Sequence, residues 1–425
     1  MTTGIWGFGR EGAAAWRWLR ATAPDEPLVV VDDDPARVHE TAPDVEVAGF
    51  DVLLHCATVW TSPGIRPTDP RRARLLAAGV QLVTGTDTFL RRAAGRTLGV
   101  TGTKGKSTTS SFARAVLAAA GAEAELAGNI GVPLLDLLDP ATGAPRNGDA
   151  LFVTELSSYQ CAGLEVSPRV AVVTQLYDDH LVEHGSREEY WRAKSRIFTR
   201  GAQVLVALPE TVDKLRTVAD VDAVPTVVTP PELPALGVDL PRHVADNLRV
   251  AVAGAAALLG HPVPDAAVAA VAGAYEPLPH RLTPVGDALG VTWVDDALAT
   301  TQESALAALD AFPGRRIALL LGGRDRGQPV DRLAAALVGR PVTVLLVGQS
   351  AGRFAEALAA VEVPDHRVVP VGTVEAAVAW VAAHRDEVDV ALLSPAAASY
   401  DQFRDHAAKA AAFVAAVRAL PPTVG

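Results

Sequence analysis

The residues Thr101-Gly102-Thr103-Lys104-Gly105-Lys106-Ser107-Thr108 carry the clearest chemistry in the chain. Glycines let backbone N–H groups turn toward a polyphosphate, a lysine reaches the outer phosphates, and a serine hydroxyl can ligate Mg²⁺. An apolar run, Thr97–Val100, precedes the loop and reads as a buried strand. Ser111–Leu117 follows with helical spacing. Strand, glycine loop, Lys-Ser and helix together form a nucleotide phosphate cradle, with Gly102, Thr103, Lys104, Gly105, Lys106, Ser107 and Thr108 as its contacts. The strict G-x-x-x-x-G-K-[ST] pattern is not met, because its first glycine would fall at Val100.

Further oxygen and nitrogen ligands follow apolar runs. Glu155 follows the strand-like Asp149–Thr154 and is suited to hold Mg²⁺ beside Ser107 or Thr108, since magnesium takes one or two carboxylates with waters and phosphates. Asp178, Asp179 and His180 follow a second such run, Val170–Thr174, and could ligate a metal. Lys194 sits four residues after Tyr190 in a helix that starts with a capping-box pattern at Ser186. On spacing alone it reads as a solvated surface charge. Arg281 could clamp a phosphoryl group and Asp296 could take a ribose hydroxyl. At the start of the chain, Gly7-Phe8-Gly9-Arg10-Glu11-Gly12 is a G-x-G-x-x-G between strand-like and helix-like stretches. Asp32 and Asp33 follow the next apolar run, Leu28–Val31. Read alone, this fingerprint implies NAD(H).

Three rounds of alternating strand and helix patterns must position these groups, which predicts an α/β chain of three domains with doubly wound sheets. The expected domains are residues 1–94, 95–282 and 283–425. In the first, Asp51–Leu54 reads as a third strand and Gln81–Thr84 as a further one. Residues 220–243 are proline-rich and read as irregular, with a helix over Asp246–Leu259. In the last, strands are expected at Val291–Val294, Arg316–Leu321, Pro341–Val347 and Val388–Leu393, before an alanine-rich helix.

Composition narrows the class. The chain has 425 residues, 49% of them hydrophobic, and a net charge of −11. It can bury a large core, and its acidic balance argues against nucleic-acid binding. Two cysteines, Cys56 and Cys161, exclude a disulfide framework and fit a reducing, cytoplasmic compartment. No leader and no apolar run long enough to cross a bilayer is expected.

The motif set then resembles a known family. Gly102–Thr108, Glu155-Leu156-Ser157-Ser158-Tyr159-Gln160, Asp179-His180, Glu189–Lys194, His280-Arg281 and Ser394–Ser399 with Asp401-Gln402-Phe403 are similar, in order, to the Mur ligases. The nearest branch adds glutamate to UDP-N-acetylmuramoyl-L-alanine. The resemblance implies a Rossmann-like first domain for the UDP-substrate, a central P-loop ATPase-type domain and a Rossmann-like third domain for the amino acid. It replaces NAD with a UDP-sugar at Gly7, Gly9 and Asp32. It also implies ATP and two Mg²⁺ ions. Ser107 and Glu155 would hold one ion, His180 and a carbamylated Lys194 the second. Lys106, His180, Lys194 and Arg281 would be catalytic. Asn247 would contact adenine, Arg281 the phosphates and Asp296 the ribose, while Asn129 and Ser157 would line the muramoyl channel. A monomer that engages neither nucleic acid nor membrane is expected.

The acceptor segment departs from the pattern of D-glutamate ligases. Asp295-Asp296-Ala297-Leu298-Ala299-Thr300-Thr301 carries Leu298 where those enzymes have lysine, and His406 stands where an aromatic is expected. These features resemble the L-glutamate-adding variant, whose dipeptide product goes to a separate epimerase. Thr300, Asp325, Arg326 and Ser399 are carried over as amino-acid contacts. D-glutamate, or an amide ligation of another carboxylate, is the alternative.

Overall fold

The computed structural model describes residues 2–421, apart from 43, 44, 180, 277, 278, 326, 328, 329, 362, 365 and 366. Two compact units divide at Tyr275 and Glu276. The first contains two parallel sheets and the second contains one sheet.

Sheet one is built from β1 (Thr3–Trp6), β2 (Leu28–Val31), β3 (Thr58–Thr61) and β4 (Gln81–Val83), in the order β2-β1-β3-β4, all parallel. The strand expected at Asp51–Leu54 is absent. Phe50–His55 forms a 3₁₀ helix in which only Leu53 is buried. The place beside β1 is taken by Thr58–Thr61, whose Val59, Trp60 and Thr61 are buried. A tetrapeptide with three apolar residues shows no period, so strand and helical turn look alike in sequence.

Sheet two contains β5 (Thr97–Thr101), β6 (Ala124–Gly128), β7 (Leu151–Glu155), β8 (Val170–Val173), β9 (Val204–Val206) and β10 (Thr226–Val228). Their order is β10-β9-β8-β5-β7-β6, again all parallel. Burial on both faces explains the continuous apolar runs of β5 and β8. β10 lies inside the proline-rich stretch read as irregular. It is an edge strand with Thr226 and Val227 exposed, so no alternation marks it. The helix expected from Asp246 begins at Arg242, and Gly260 ends it in the left-handed region at φ 81°. It packs on the helix Lys106–Ala119, with Leu248 and Ala251 in one apolar cluster with Phe112 and Val116.

A single apolar cluster runs through the first unit, from Ile5, Phe8 and Trp18 to Phe152, Tyr190 and Phe198. Phe89 meets Phe152 edge to face at 5.2 Å. Asp87 Oδ1 accepts from the backbone N–H groups of Glu165 and Val166 at 2.7 and 3.1 Å. Both sheets of this unit are therefore held by one core and by direct hydrogen bonds.

In the second unit, β11 (Thr283–Ala288), β12 (Val291–Asp295), β13 (Ile317–Leu321), β14 (Val342–Val347), β15 (Val368–Gly372) and β16 (Val390–Leu393) form a sheet in the order β11-β12-β16-β13-β14-β15. β11 was not expected. It runs antiparallel to β12 across a two-residue turn, Leu289-Gly290, with φ 58° and 77°. Positive φ at both positions is the signature of a type I′ hairpin, which usually carries Asn-Gly rather than Leu-Gly. The α/β class with mainly parallel sheets agrees with the sequence expectation. Among the described residues no helix is long and apolar enough to cross a membrane.

One buried carboxylate stands out in this packing. Glu11, in the first turn of the helix Arg10–Thr22, has both oxygens buried with no hydrogen-bond partner among the described residues. Burial pushes its pKa up to about 7, against the pull of Arg10 and with the repulsion of Asp136. A raised folded pKa favours the protonated form, so the native state loses stability as pH rises from the unfolded value through about 7. Glu11→Gln is expected to melt about 2–4 °C above the parent at pH 8, with the gap closing by pH 4, in paired thermal melts.

Candidate active site

Sheet two assembles the site through its register. β5 lies between β7 and β8, with Val100 opposite Glu155 and Thr101 opposite Val173. Because all three strands are parallel, the glycine loop, Glu155 and the segment after β8 emerge at one carboxyl edge, where doubly wound sheets bind ligands. The loop is already held there. Thr103 N donates to Gln175 O at 2.8 Å, and Thr174 Oγ1 donates to Lys104 O at 2.5 Å. Thr103 Oγ1 accepts from Tyr177 N at 3.0 Å and from Tyr190 Oη at 3.2 Å. Lys106 Nζ folds back on the loop and donates to Gly102 O and Thr103 O, each at 3.0 Å.

Gly105 is the N-cap of the helix Lys106–Ala119, with φ 84°. A Cβ there would collide with Asn247 Oδ1. Asn247 therefore lies against the loop, on the buried face of the helix Arg242–Leu259. Ser107 and Thr108 fall in the first turn, where N–H groups lack intrahelical partners and favour anions.

Glu155, the carboxylate expected to hold a metal, is 1% exposed. Its Oε1 accepts from Asn129 Nδ2 at 2.7 Å, while Oε2 is buried without a partner among the described residues. An orphaned buried carboxylate oxygen beside a phosphate loop fits a hard cation. Lys194 is also 1% exposed, which overturns the reading of a solvated charge. Its Nζ lies 4.7 Å from the centroid of the Tyr190 ring. Burial, and then the nearby Lys106 charge, push its pKa down to about 7, although Cys161, Asp179 and Glu155 pull the other way. Lys194 is thus partly neutral near pH 7. His180 lies outside the described residues, and among those described no three His, Cys, Asp or Glu side chains form a metal cluster.

The amino-terminal fingerprint has the packing its glycines predict. A Cβ at Gly12 would collide with the Gly7 carbonyl, whereas one at Gly9 would meet open space. Asp32 is turned inward: Oδ2 accepts from Phe8 N at 2.5 Å and Oδ1 from Asp34 N at 2.8 Å. It thereby shapes the glycine loop. Asp33 is the exposed member and pairs with Arg71 at 3.0 Å. Ser157 and Gln160 form a reciprocal capping box on the helix Ser158–Ala162, so the observed work of Ser157 is to start that helix.

The remaining candidates lie in the second unit. Arg281 sits between two residues with left-handed backbone, His280 (φ 63°) and Leu282 (φ 47°), and its buried Nε has no partner among the described residues. His280 Nδ1 lies 2.7 Å from Asp295 Oδ2. Such backbone is costly for non-glycine residues and is retained where the surroundings over-determine it. Asp296 accepts from Ser394 Oγ at 2.7 Å and Leu282 N at 3.3 Å, and burial pushes its pKa up to about 6. Asp325 is paired with Arg353 at 2.8 Å, and Arg326 lies outside the described residues. Ser399 Oγ is buried and unpartnered among the described residues. Thr300 falls between β12 and the helix Gln302–Asp310, whose N-cap is Thr301. His406 occupies the position of the expected aromatic, its ring centroid 5.8 Å from that of His280.

Sequence reading missed several supporting groups. Asn129, expected to line the muramoyl channel, donates to Glu155 Oε1. Lys409 is 1% exposed and donates to Gly322 O at 3.0 Å, holding the turn after β13. In an alanine-rich helix it reads as an ordinary solubilising charge, and no local signal marks it. Gly105→Ala is expected to leave the fold intact and weaken ATP binding at least about tenfold in calorimetric titration, because left-handed φ costs an alanine about 1 kcal/mol and the Asn247 contact must also shift.

Residues 100–229 match the Mur ligase middle domain, and residues 280–397 match the Mur ligase glutamate ligase domain. A UDP-N-acetylmuramoyl-L-alanine–L-glutamate ligase from Micromonospora sp. is 39% identical over 98% of this chain and 96% of its own length. One from Salinispora tropica is 38% identical over 97% and 96%. The crystal structure of a MurF ligase from Thermotoga maritima in complex with ADP shares the fold, with a TM-score of 0.54 and 15% identity over 92% of this chain and 95% of that one. Matched by two domains of that family and by relatives of 39% and 38% identity over nearly its whole length, the chain belongs to the Mur ligase family.

Proposed function

We infer that this protein is an ATP-dependent ligase that joins L-glutamate to UDP-N-acetylmuramoyl-L-alanine. The observation that carries the chemistry is the juxtaposition of the loop 102–108, the open oxygen of Glu155 and the buried amine of Lys194. The substrate reading rests on relatives of that name that match nearly the whole chain. A preference for L-glutamate is supported by those same names and by Leu298, which cannot supply the charge that a lysine would offer a side-chain carboxylate.

A carboxylate is a poor electrophile, so its oxygen must first carry a leaving group. The substrate carboxylate attacks the γ-phosphorus of ATP and ADP departs, leaving an acyl phosphate. The glutamate amine then attacks the acyl carbon, loses a proton and expels phosphate. In this reading the loop N–H groups and Lys106 bind the transferring phosphoryl group, and Asn247 fixes the nucleotide against Gly105. Arg281 is the residue that the family pattern gives to the phosphates, and next to it Leu282 N donates to Asp296. Bound Mg²⁺ supplies Lewis-acid offset of the phosphoryl charge. Ser107 and Glu155 would hold one ion, and His180 with a carbamylated Lys194 the second. Carbamylation requires an unprotonated amine, which the lowered pKa of Lys194 provides.

Residues 1–94 would then hold the UDP moiety, 95–282 the ATP and 283–425 the amino acid, with Thr300, Asp325, Arg326 and Ser399 nearest to it. A cytoplasmic monomer whose product passes to an epimerase completes the reading.

Phosphate release with UDP-N-acetylmuramoyl-L-alanine, ATP, Mg²⁺ and each glutamate enantiomer tests the assignment. Turnover is expected with L-glutamate. Release with D-glutamate alone overturns the preference, and release with neither overturns this substrate. Lys194→Ala is expected to lose about 100-fold or more in kcat, the scale for removing a preorganised charge-stabilising group, with partial rescue by a short carboxylic acid. After CO₂ is stripped, recovery on adding bicarbonate should be fuller at pH 8 than at pH 6, since the amine is neutral above about 7. Equal recovery at both values would count against the carbamate.

A further inference from the structure

Arg10 sits at the first position of the helix Arg10–Thr22, yet its guanidinium reaches across to another element. Nη2 donates to Gly128 O and Asn129 O, and Nη1 donates to Gly131 O, all at 3.2 Å. One side chain thus satisfies three carbonyls of a single turn. A planar fork with two terminal nitrogens can do this; the single ammonium of lysine cannot span the same set.

The opposite side of that turn meets the metal-side carboxylate. Asn129 N donates to Glu155 O at 2.8 Å, and Asn129 Nδ2 donates to Glu155 Oε1 at 2.7 Å. Gly128 has φ 104°, and a Cβ there would lie 2.5 Å from Glu155 O. Gly131 has φ 74°, and a Cβ there would lie 2.7 Å from Leu126 O. The turn is seated so closely on β6 and β7 that it can move only as a unit. Fixing it fixes the Asn129 amide, and with Oε1 engaged the free Oε2 of Glu155 is the atom left for a cation.

We propose that Arg10 is a positioning residue for the metal site: by clamping the 128–131 turn it orients Asn129, and Asn129 holds Glu155 with one oxygen presented to Mg²⁺. The glycine-rich start of the chain and the ATP-side carboxylate are thereby coupled through one turn. This rests on the reading that Glu155 ligates the metal. Groups that orient metal ligands commonly carry about 10- to 100-fold in affinity.

The test uses the full chain with a non-hydrolysable ATP analogue, titrating Mn²⁺ and measuring the free ion by electron paramagnetic resonance. No glutamate or UDP-substrate is needed. Arg10→Ala is expected to weaken Mn²⁺ binding about tenfold, with Arg10→Lys recovering part of the loss. Removing a positive charge near a cation site would by itself tighten binding, so a weaker site reports lost positioning. Asn129→Ala should match Arg10→Ala, and the double variant should be no weaker than Asn129→Ala alone, because the two residues act in series. Arg17→Ala removes the 2.7 Å bridge from the same helix to Asp136 and should leave Mn²⁺ affinity unchanged, separating positioning from general stability. Wild-type affinity in Arg10→Ala, or fully additive losses, would overturn the proposal. Glu155→Ala distinguishes the two failures: if it too binds Mn²⁺ normally, the metal-site reading falls with the clamp, and if it alone loses binding, only the clamp falls.

Discussion

The parallel pairing of β5 with β7 and β8 is the constraint on which the site depends. Polar groups separated by tens of residues in sequence leave the sheet at one edge because those three strands run the same way in a fixed register. A one-residue slip would turn Glu155 to the opposite face of β7. The register is protected by burial, since the strands carry apolar side chains on both faces and the helices Lys106–Ala119 and Arg242–Leu259 cover one of them.

Buried polar atoms without a partner among the described residues occur at that edge and elsewhere, Glu11 included. Most buried polar groups in this chain find partners, as they must in a low-dielectric interior. Glu155 Oε2, Arg281 Nε and Ser399 Oγ do not among the described residues. Lys194 expresses the same logic through its protonation. An ammonium buried near Lys106 is disfavoured. By contrast, Asp32, Asp296 and Ser157 spend much of their hydrogen-bonding capacity on the protein itself.

Much of this was legible in the chain itself. The strand–glycine loop–helix punctuation, the carboxylate after an apolar run and the amino-terminal glycine fingerprint all depend on local rules, and the structure places each in the expected context. In the central stretch, the apolar runs at Thr97–Thr101, Leu151–Glu155 and Val170–Val173 were legible as strands, whereas β6, with the sequence AELAG, carries no such run. Failures fell where local patterns are short or edge-bound. Asp51–Leu54 gave way to Thr58–Thr61, β10 hid among prolines, and β11 turned on Leu-Gly where Asn-Gly is usual.

What the sequence by itself determined is the α/β class, the phosphate loop and the set of residues able to bind a nucleotide and a divalent cation, because these follow from residue type and near-neighbour spacing. What only the tertiary structure decided is the state of those residues. Lys194 looked like a surface charge and is buried; Asp32, expected at the UDP-substrate, accepts from Phe8 N. Arg10 and Glu155 are 145 positions apart, yet they are joined through one turn, because hydrogen bonds between distant elements follow from packing and leave no period in the chain.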